Sequence, residues 1–434
     1  MDWQQHLSRN TVTPQEAAKA IRSGDRVVFA HAAGSPESLV KALMERGPNL
    51  RNVEIVHMVA LNDSPYCRPE FKENFRFNGL YLSGGTRAAV AEGRADYTPT
   101  FFAQIPALFR EGTLPVDVAL ITISPPDAKG KVSLGVSVDY TRQAALSAKL
   151  TIAEINPNMP CIGGDALLDI REVDTFVHSS DPILELAPPK IGEVETSIGS
   201  HIAELIDDGA CLQLGIGAIP DAVLHFLVGK KDLGIHSEMI SDGVMKLVEE
   251  GVVTCARKTL HPGKIIVTFL MGSKKFYDWT SDNPLIEGYP VDYVNDPRII
   301  GQNDNLISIN SALSVDLLGQ VAADSMGPRQ FSGVGGQVDF VRGASFSKGG
   351  RSIIAMPSTA SGGKVSRICG SFGRGQPVTT SRHDVDTVVT EHGVAELKGK
   401  TNIARARSLI KIAAPEYRDD LAREALEIYG WHVL

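Results

Sequence analysis

Several features are missing from this sequence, and each absence excludes something. No CxxC pair occurs among the five cysteines, which are odd in number and scattered at positions 67, 161, 211, 255 and 369. That pattern excludes a disulfide framework and a thiolate zinc site, and it predicts buried free thiols. No excess of positive charge exists. The formal net charge is −8, so the chain as a whole attracts neither nucleic acid nor an anionic membrane. A phosphate-bearing ligand is still compatible, because local basic residues and backbone amides can hold one. No apolar run is long enough to span a bilayer, IIVTFLM at 265–271 being typical of the longest. The N-terminus, MDWQQHLSRN, lacks the apolar stretch of a secretory signal. Together these absences predict a metal-free protein of the cytoplasm or a similarly reducing compartment.

What is present is an ordinary globular composition, 43% apolar and 22% charged, over 434 residues. A chain of that length divides into two or three domains. Thr13-Pro14-Gln15-Glu16 is a capping box with proline at the first helical position, predicting a helix over 14–22 that stops before Gly24. RVVFAH (26–31) then reads as a buried strand, and Ser35-Pro36-Glu37 opens a helix through Met44. Further strands are predicted at NVEIVHMV (52–59), VDVALITIS (116–124), KLTIAEIN (149–156) and VDTFVH (173–178). Strands alternating with helices imply a mainly parallel sheet covered on both faces.

The pattern then starts again. ETSIGSHIAELI (195–206) is helix-like, ACLQLGIG (210–217) is a strand running into a glycine turn, and IPDAVLHFLVG (219–229) is a helix. At an offset of 184 residues, Ile21 matches Leu205, Val27 matches Cys211, Pro36 matches Pro220, Leu39 matches Val223 and Leu43 matches Leu227. Two related α/β halves follow, with the proline-rich LAPPKIGE (186–193) as their junction. The halves differ at one point: His31 and Ala33 stand where the second half has Gly215 and Gly217.

In a parallel sheet, ligands bind beyond the carboxyl ends of the strands. The turn GIGAIP (215–220) ends one strand, and Glu238 ends the next, LGIHSE. If those strands are neighbours, the glycine turn and the carboxylate open onto one crevice. Glycines at 215 and 217 permit positive φ and close approach to the backbone, and the first amides of the following helix point outward. The same turn is also compatible with a tight strand–helix connection that binds nothing. A dinucleotide fingerprint is excluded, since the position that should carry its third glycine is Pro220. Glu238 itself is either a strand-end carboxylate reaching water or a catalytic group at the mouth of the sheet. Other glycine-rich turns follow apolar strands in the same half: FSGVGGQVDF (331–340), SKGGRSIIAMPSTASGGKVSRI (347–368) and TEHGVAELKGKT (390–401).

Taken together, QLGIGAIPDAV (213–223), HSEMISDG (236–243), INSALSVDLLGQV (309–321), GVGGQVDF (333–340) and EHGVAELKGKT (391–401) resemble the acetyl-CoA hydrolase/transferase family, most closely its 4-hydroxybutyrate CoA-transferases. The resemblance covers essentially the whole chain. It implies two similar open α/β domains with mainly parallel sheets and the active site in the crevice between them. Residues 1–190 would shape the acyl pocket, and residues 191–434 would carry the catalytic glutamate and the coenzyme A loops. It implies Glu238 as the nucleophile. Gly215, Ile216, Gly217, Ala218 and Ile219 would contact coenzyme A, joined by Leu313 and Gly336. The family pattern has a lysine before the glycine pair of STAxGG, whereas here that position is Ser361 and Lys364 follows the pair. Either of the two could meet the coenzyme.

The implied reaction moves coenzyme A between short carboxylic acids such as acetate, butyrate and 4-hydroxybutyrate. It runs through a glutamyl thioester with ping-pong kinetics, needs no metal, and has coenzyme A as co-substrate rather than as a resident cofactor. Gln213, or backbone amides of the glycine loops, could stabilise the oxyanions, and His31 could hydrogen-bond the substrate. His236, on the Glu238 strand, reads as an orienting or packing residue rather than a base. The implied partners are acyl-CoA, a carboxylate and a second copy of the chain. An acyl-CoA hydrolase using the same glutamate in a wetter site, and a non-catalytic coenzyme A binder on the same scaffold, are the alternatives.

Overall fold

The computed structural model describes residues 2–433. These form two compact units. The first runs to Ala187 and also holds Ile266–Val294 and Phe331–Gly333; the second holds Pro188–Ile265, Asn295–Gln330 and the chain from Val334 onward.

The first unit is built on seven strands: β1 (Arg26–Phe29), β2 (Val53–His57), β3 (Phe75–Gly79), β4 (Asp96–Tyr97), β5 (Val118–Ile123), β6 (Leu150–Ile155) and β7 (Thr175–His178). They lie in the order β7-β6-β5-β1-β2-β3-β4, every pair parallel. The six residues of β5 are all buried, as continuous apolar strands covered on both faces should be. Leu39 and Leu43 of the helix at Glu37–Arg46 join Phe29, Ile55, Phe77, Leu120 and Ile152 in one core.

The second unit repeats this plan with β8 (Cys211–Leu214), β9 (Gly234–Ile235), β10 (Leu306–Ser311), β11 (Arg351–Ala355), β12 (Thr387–Thr390) and β13 (Gly393–Glu396). Their order is β9-β8-β10-β11-β12-β13. All pairs are parallel except the last. Five consecutive strands of each sheet therefore correspond one for one, β2-β1-β5-β6-β7 against β9-β8-β10-β11-β12. The sequence offset that matched Val27 with Cys211 was matching β1 with β8, the same place in each sheet.

Local signals explain the helix starts. Thr13 accepts a hydrogen bond from the Glu16 amide while Glu16 reaches back to the Thr13 amide, which is the reciprocal cap the sequence predicts. The regular helix is shorter than expected, Pro14–Ala18 rather than 14–22. Beyond it the amides of Lys19, Ala20 and Ile21 bond to carbonyls three residues back, so the chain tightens before Gly24 instead of continuing the α-helix.

In the second unit, α1 (Glu193–Ala203) packs against α2 (Ala218–Phe226), the helix that follows β8. Gly199 makes this possible. A Cβ built there would lie 2.8 Å from the carbonyl carbon of Ala222 and 2.9 Å from its Cβ. Because the obstacle is backbone, Gly199→Ala should lower stability by about 1–2 kcal/mol, overpacking outweighing the better helix propensity. A reduced urea midpoint checks this; an unchanged or raised midpoint would mean the helices can part freely.

Candidate active site

β8 and β9 pair in parallel, Cys211 with Gly234 and Leu212 with Ile235, so the glycine turn and the Glu238 segment do leave adjacent strands at the same end. Glu238 is not itself at the strand end. β9 stops at Ile235, and Glu238 lies in a bend three residues on. The intervening residues are tied to β8. The His236 amide donates to the Leu212 carbonyl at 3.1 Å. The Ser237 hydroxyl donates to the Leu214 carbonyl at 3.1 Å and accepts from the Leu214 amide at 3.3 Å. The carboxylate then receives a hydrogen bond from Asn295 Nδ2 at 2.9 Å. Asn295 is fully buried, and its Oδ1 has no hydrogen-bond partner.

Gly336 closes the other side. A Cβ built on it would stand 1.9 Å from Glu238 Oε2 and 2.4 Å from Asn295 Nδ2. Its φ of −92° suits any residue. The need for glycine here is therefore spatial: the carboxylate occupies the volume a side chain would take. Gly336 caps α4 (Gln337–Phe346) once α3 (Asp242–Glu249) has followed the Glu238 segment.

In the glycine turn Gly217 uses the positive φ that glycine permits, at +118°, and Gly215 does not. A Cβ at either position would meet nothing within 4 Å, so both face open space. Ile216 is exposed. α2 starts at Ala218 with no side-chain cap, leaving an uncapped helix N-terminus beside the exposed loop. Ile219, by contrast, is buried.

Gln213 is buried in β8 and joined to β10. Its Oε1 accepts from Ser308 Oγ at 2.7 Å and Asn310 Nδ2 at 3.0 Å, while its Nε2 donates to Asn310 Oδ1 at 3.3 Å. The amide is thus fixed in one orientation by its neighbours. His236 is buried, its ring 6.3 Å from Phe340 of α4, which fits a packing residue. Leu313 follows β10, its amide bonded to the Ala322 carbonyl. Ser361 and Lys364 both lie exposed at the tip of a small hairpin in which Ser361, Gly362 and Gly363 all have positive φ.

In the first unit, His31 is wholly enclosed. Its Nδ1 is 3.3 Å from Asp139 Oδ2, its amide donates to Ser137 Oγ, and its ring packs edge-on against Phe269 at 4.5 Å. Its Nε2 has no hydrogen-bond partner. His57, at the end of the adjacent strand, is equally buried, and burial, reinforced by His31, pushes its imidazole down to about 3. The same stretch contains Val59 at φ +25°, a strained conformation for a β-branched residue.

Burial pushes up all five cysteine thiols, those of Cys67, Cys211 and Cys369 to about 12. A thiolate nucleophile is therefore disfavoured at neutral pH. The thiols are all free, but Cys161 and Cys369 are only half-buried, less than predicted. Among the described residues no group of three or more His, Cys, Asp or Glu could hold a metal ion. Among the described residues no helix is long and apolar enough to cross a membrane.

Residues 1–187 match the acetyl-CoA hydrolase/transferase N-terminal domain, and residues 272–425 match the C-terminal domain. The chain belongs to this family. It is 58% identical over 424 residues to the 4-hydroxybutyrate coenzyme A transferase of Clostridium kluyveri, covering 98% of this chain and 99% of that one. Among solved structures it resembles RipA from Yersinia pestis, with 38% identity and a TM-score of 0.93 over 99% of this chain and 100% of that one. It also resembles the 4-hydroxybutyrate CoA-transferase of Porphyromonas gingivalis, with 40% identity and a TM-score of 0.85 over the same shares.

Sequence reasoning missed Asn295 and Asn310. Asn310 was available as a polar residue in a strand, LISINS, that reads as buried, where it must find a partner. Asn295 sits between helical segments with no periodic signal. Two predictions follow from the geometry. Gly336→Ala should fold normally, since only movable side-chain ends obstruct it, yet lower kcat roughly 100-fold by displacing the carboxylate on the order of 1 Å. A native kcat with an unchanged melting temperature would remove Gly336 from the site. The second concerns Asp221 in the first turn of α2, whose carboxyl burial and then Asp242 push up to about 6. Its stabilising contribution is full below the ordinary carboxylate range and is lost as pH rises through about 6. Asp221→Asn should therefore raise the melting temperature at pH 7.5 relative to the parent, with no gain at pH 4; a pH-independent difference would contradict it.

Proposed function

We propose that this protein exchanges coenzyme A between short-chain carboxylic acids through a covalent intermediate on Glu238. Family membership and the named relatives make the chain a coenzyme A transferase acting on carboxylic acids. The route is our reading. The observation that carries it is the Glu238 carboxylate, held by a fully buried asparagine amide and lying against a residue with no side chain.

In the first half-reaction a Glu238 oxygen attacks the thioester carbonyl, and the tetrahedral intermediate collapses to an acyl-glutamyl anhydride and the coenzyme A thiolate. The thiolate then attacks the glutamyl carbonyl, forming a glutamyl thioester and releasing the first acid as its carboxylate. The second acid attacks that thioester, giving a new anhydride and the thiolate again. Attack of the thiolate on the new acyl carbonyl yields the second acyl-CoA and regenerates the Glu238 carboxylate. Thioester energy is conserved at every step, so the cycle runs without ATP. Asn295 holds one oxygen of the carboxylate, Oε2. Backbone amides of the glycine segments, and the Gln213 amide, are our candidates for the oxyanion donors.

Coenzyme A lies along Gly215–Ile219, with Leu313, Gly336 and one of Ser361 and Lys364 as further contacts. The exposed Ile216 and the uncapped start of α2 support this reading. The first unit shapes the acyl group. 4-hydroxybutyrate, butyrate and acetate are the proposed acids. We further propose that the protein works as a homodimer in the cytoplasm.

The decisive experiment uses acyl-CoA without an acceptor. Coenzyme A should accumulate on Glu238, borohydride should inactivate only when acyl-CoA is present, and peptide mapping should place the label in HSEMISDG. Glu238→Asp, which withdraws the charge by about 1 Å, should cost roughly 100-fold in rate. Initial-rate lines should be parallel. Labelling of a cysteine, inactivation independent of acyl-CoA, or intersecting lines would reject the covalent route.

A further inference from the structure

Glu238 follows the outermost strand of its sheet. β9 has β8 on one side and no strand on the other. The Gly234 and His236 amides both point inward, donating to the Ala210 and Leu212 carbonyls at 2.8 and 3.1 Å. Ile235 lies between them, so its N–H and C=O face outward. It is fully buried, and unmet backbone groups there would be costly.

Upstream, ordinary backbone pairing meets this need. Leu233 donates to the Val252 carbonyl, and its own carbonyl accepts from the Thr254 and Cys255 amides. At Cys255 a φ of +56° turns the chain away, and the backbone pairing ends. A side chain of the following turn takes over. The Ile235 carbonyl accepts from Lys258 Nζ at 2.8 Å. The same ammonium donates to the Lys264 carbonyl at 2.7 Å, and Lys258 is only 6% exposed. Its stem lies flat on Gly234, where a Cβ would come within 2.5 Å of Lys258 Cγ. An apolar chain of the same length could fill that groove without the desolvation cost of a buried ammonium. Packing therefore does not account for the charge.

We propose that Lys258 is a positioning residue for Glu238, standing in for the missing neighbouring strand at Ile235. This rests on reading Glu238 as the nucleophile. The segment is then anchored residue by residue: Ile235 by Lys258, His236 by Leu212, Ser237 by Leu214 and Glu238 by Asn295. Removing the first anchor lets the strand end drift while the other three remain, so a partial loss follows.

Lys258→Met keeps the stem and removes the ammonium. It should lower kcat per folded molecule about 10- to 100-fold, lower the rate of covalent coenzyme A attachment to Glu238 by the same factor, and leave KM for acyl-CoA nearly unchanged, with a lower melting temperature from the unmet Ile235 carbonyl. Lys258→Arg, which retains a cation, should recover part of the loss. If Lys258→Met does not fold, Gly234→Ala makes the same test from the other side, since its φ is ordinary and the new Cβ displaces only the lysine stem. A native kcat in the folded variant, or a loss of stability with kcat per folded molecule intact, overturns the positioning role. An unimpaired Glu238→Gln would remove the nucleophile itself and this proposal with it; an inactive Glu238→Gln beside a native Lys258→Met overturns only Lys258.

Discussion

The candidate site depends on one short pairing. Two residues of β9 lie in parallel register on β8, and that register sends the glycine turn and the glutamate segment out from the same end of the sheet. Antiparallel pairing, or a slip of one residue, would send Glu238 to the wrong end or turn its side chain over. So brief a ladder does little to hold a direction. The chain compensates with a series of side-chain bonds that continue beyond the strand, from Ser237 to Asn295. The position of Glu238 is thus held in part by side-chain bonds beyond the strand.

Much of the architecture was legible because it is written twice. A helix–strand–helix pattern recurring at a fixed offset identified β1 and β8 as equivalents, and the two strand orders extend that equivalence across five strands. The buried strands were readable as continuous apolar runs, and Thr13 with Glu16 as a cap. Glu238 could be singled out because its acid follows a buried strand and precedes a helix start. What could not be read are relations between distant parts of the chain. Nothing local to Asn295 announces a bond to Glu238, and nothing local to Gly336 announces that a carboxylate fills its missing side chain.

The shared topology also brings out how differently the two units use it. At the end of β1 the first unit closes completely, with His31, Ser137, Asp139 and Thr141 bonded to one another out of reach of water. At the equivalent place the second unit opens, and Gly215 and Gly217 face empty space. Where the second unit has two glycines in an open loop, the first has histidine and alanine in a closed cluster. One scaffold thereby offers both an enclosed environment, suited to selecting a small group, and an accessible backbone, suited to a long ligand.

The outer rim of β9 has a consequence for solubility. A terminal strand with unsatisfied backbone groups is a template onto which another chain can add a strand, and natural proteins blunt such rims in several ways. Here the outward C=O of Ile235 is already occupied by an ammonium from the following turn. An incoming strand would have to displace a buried cation to find a hydrogen bond. This rim is therefore less open to edge-to-edge association than a bare terminal strand would be.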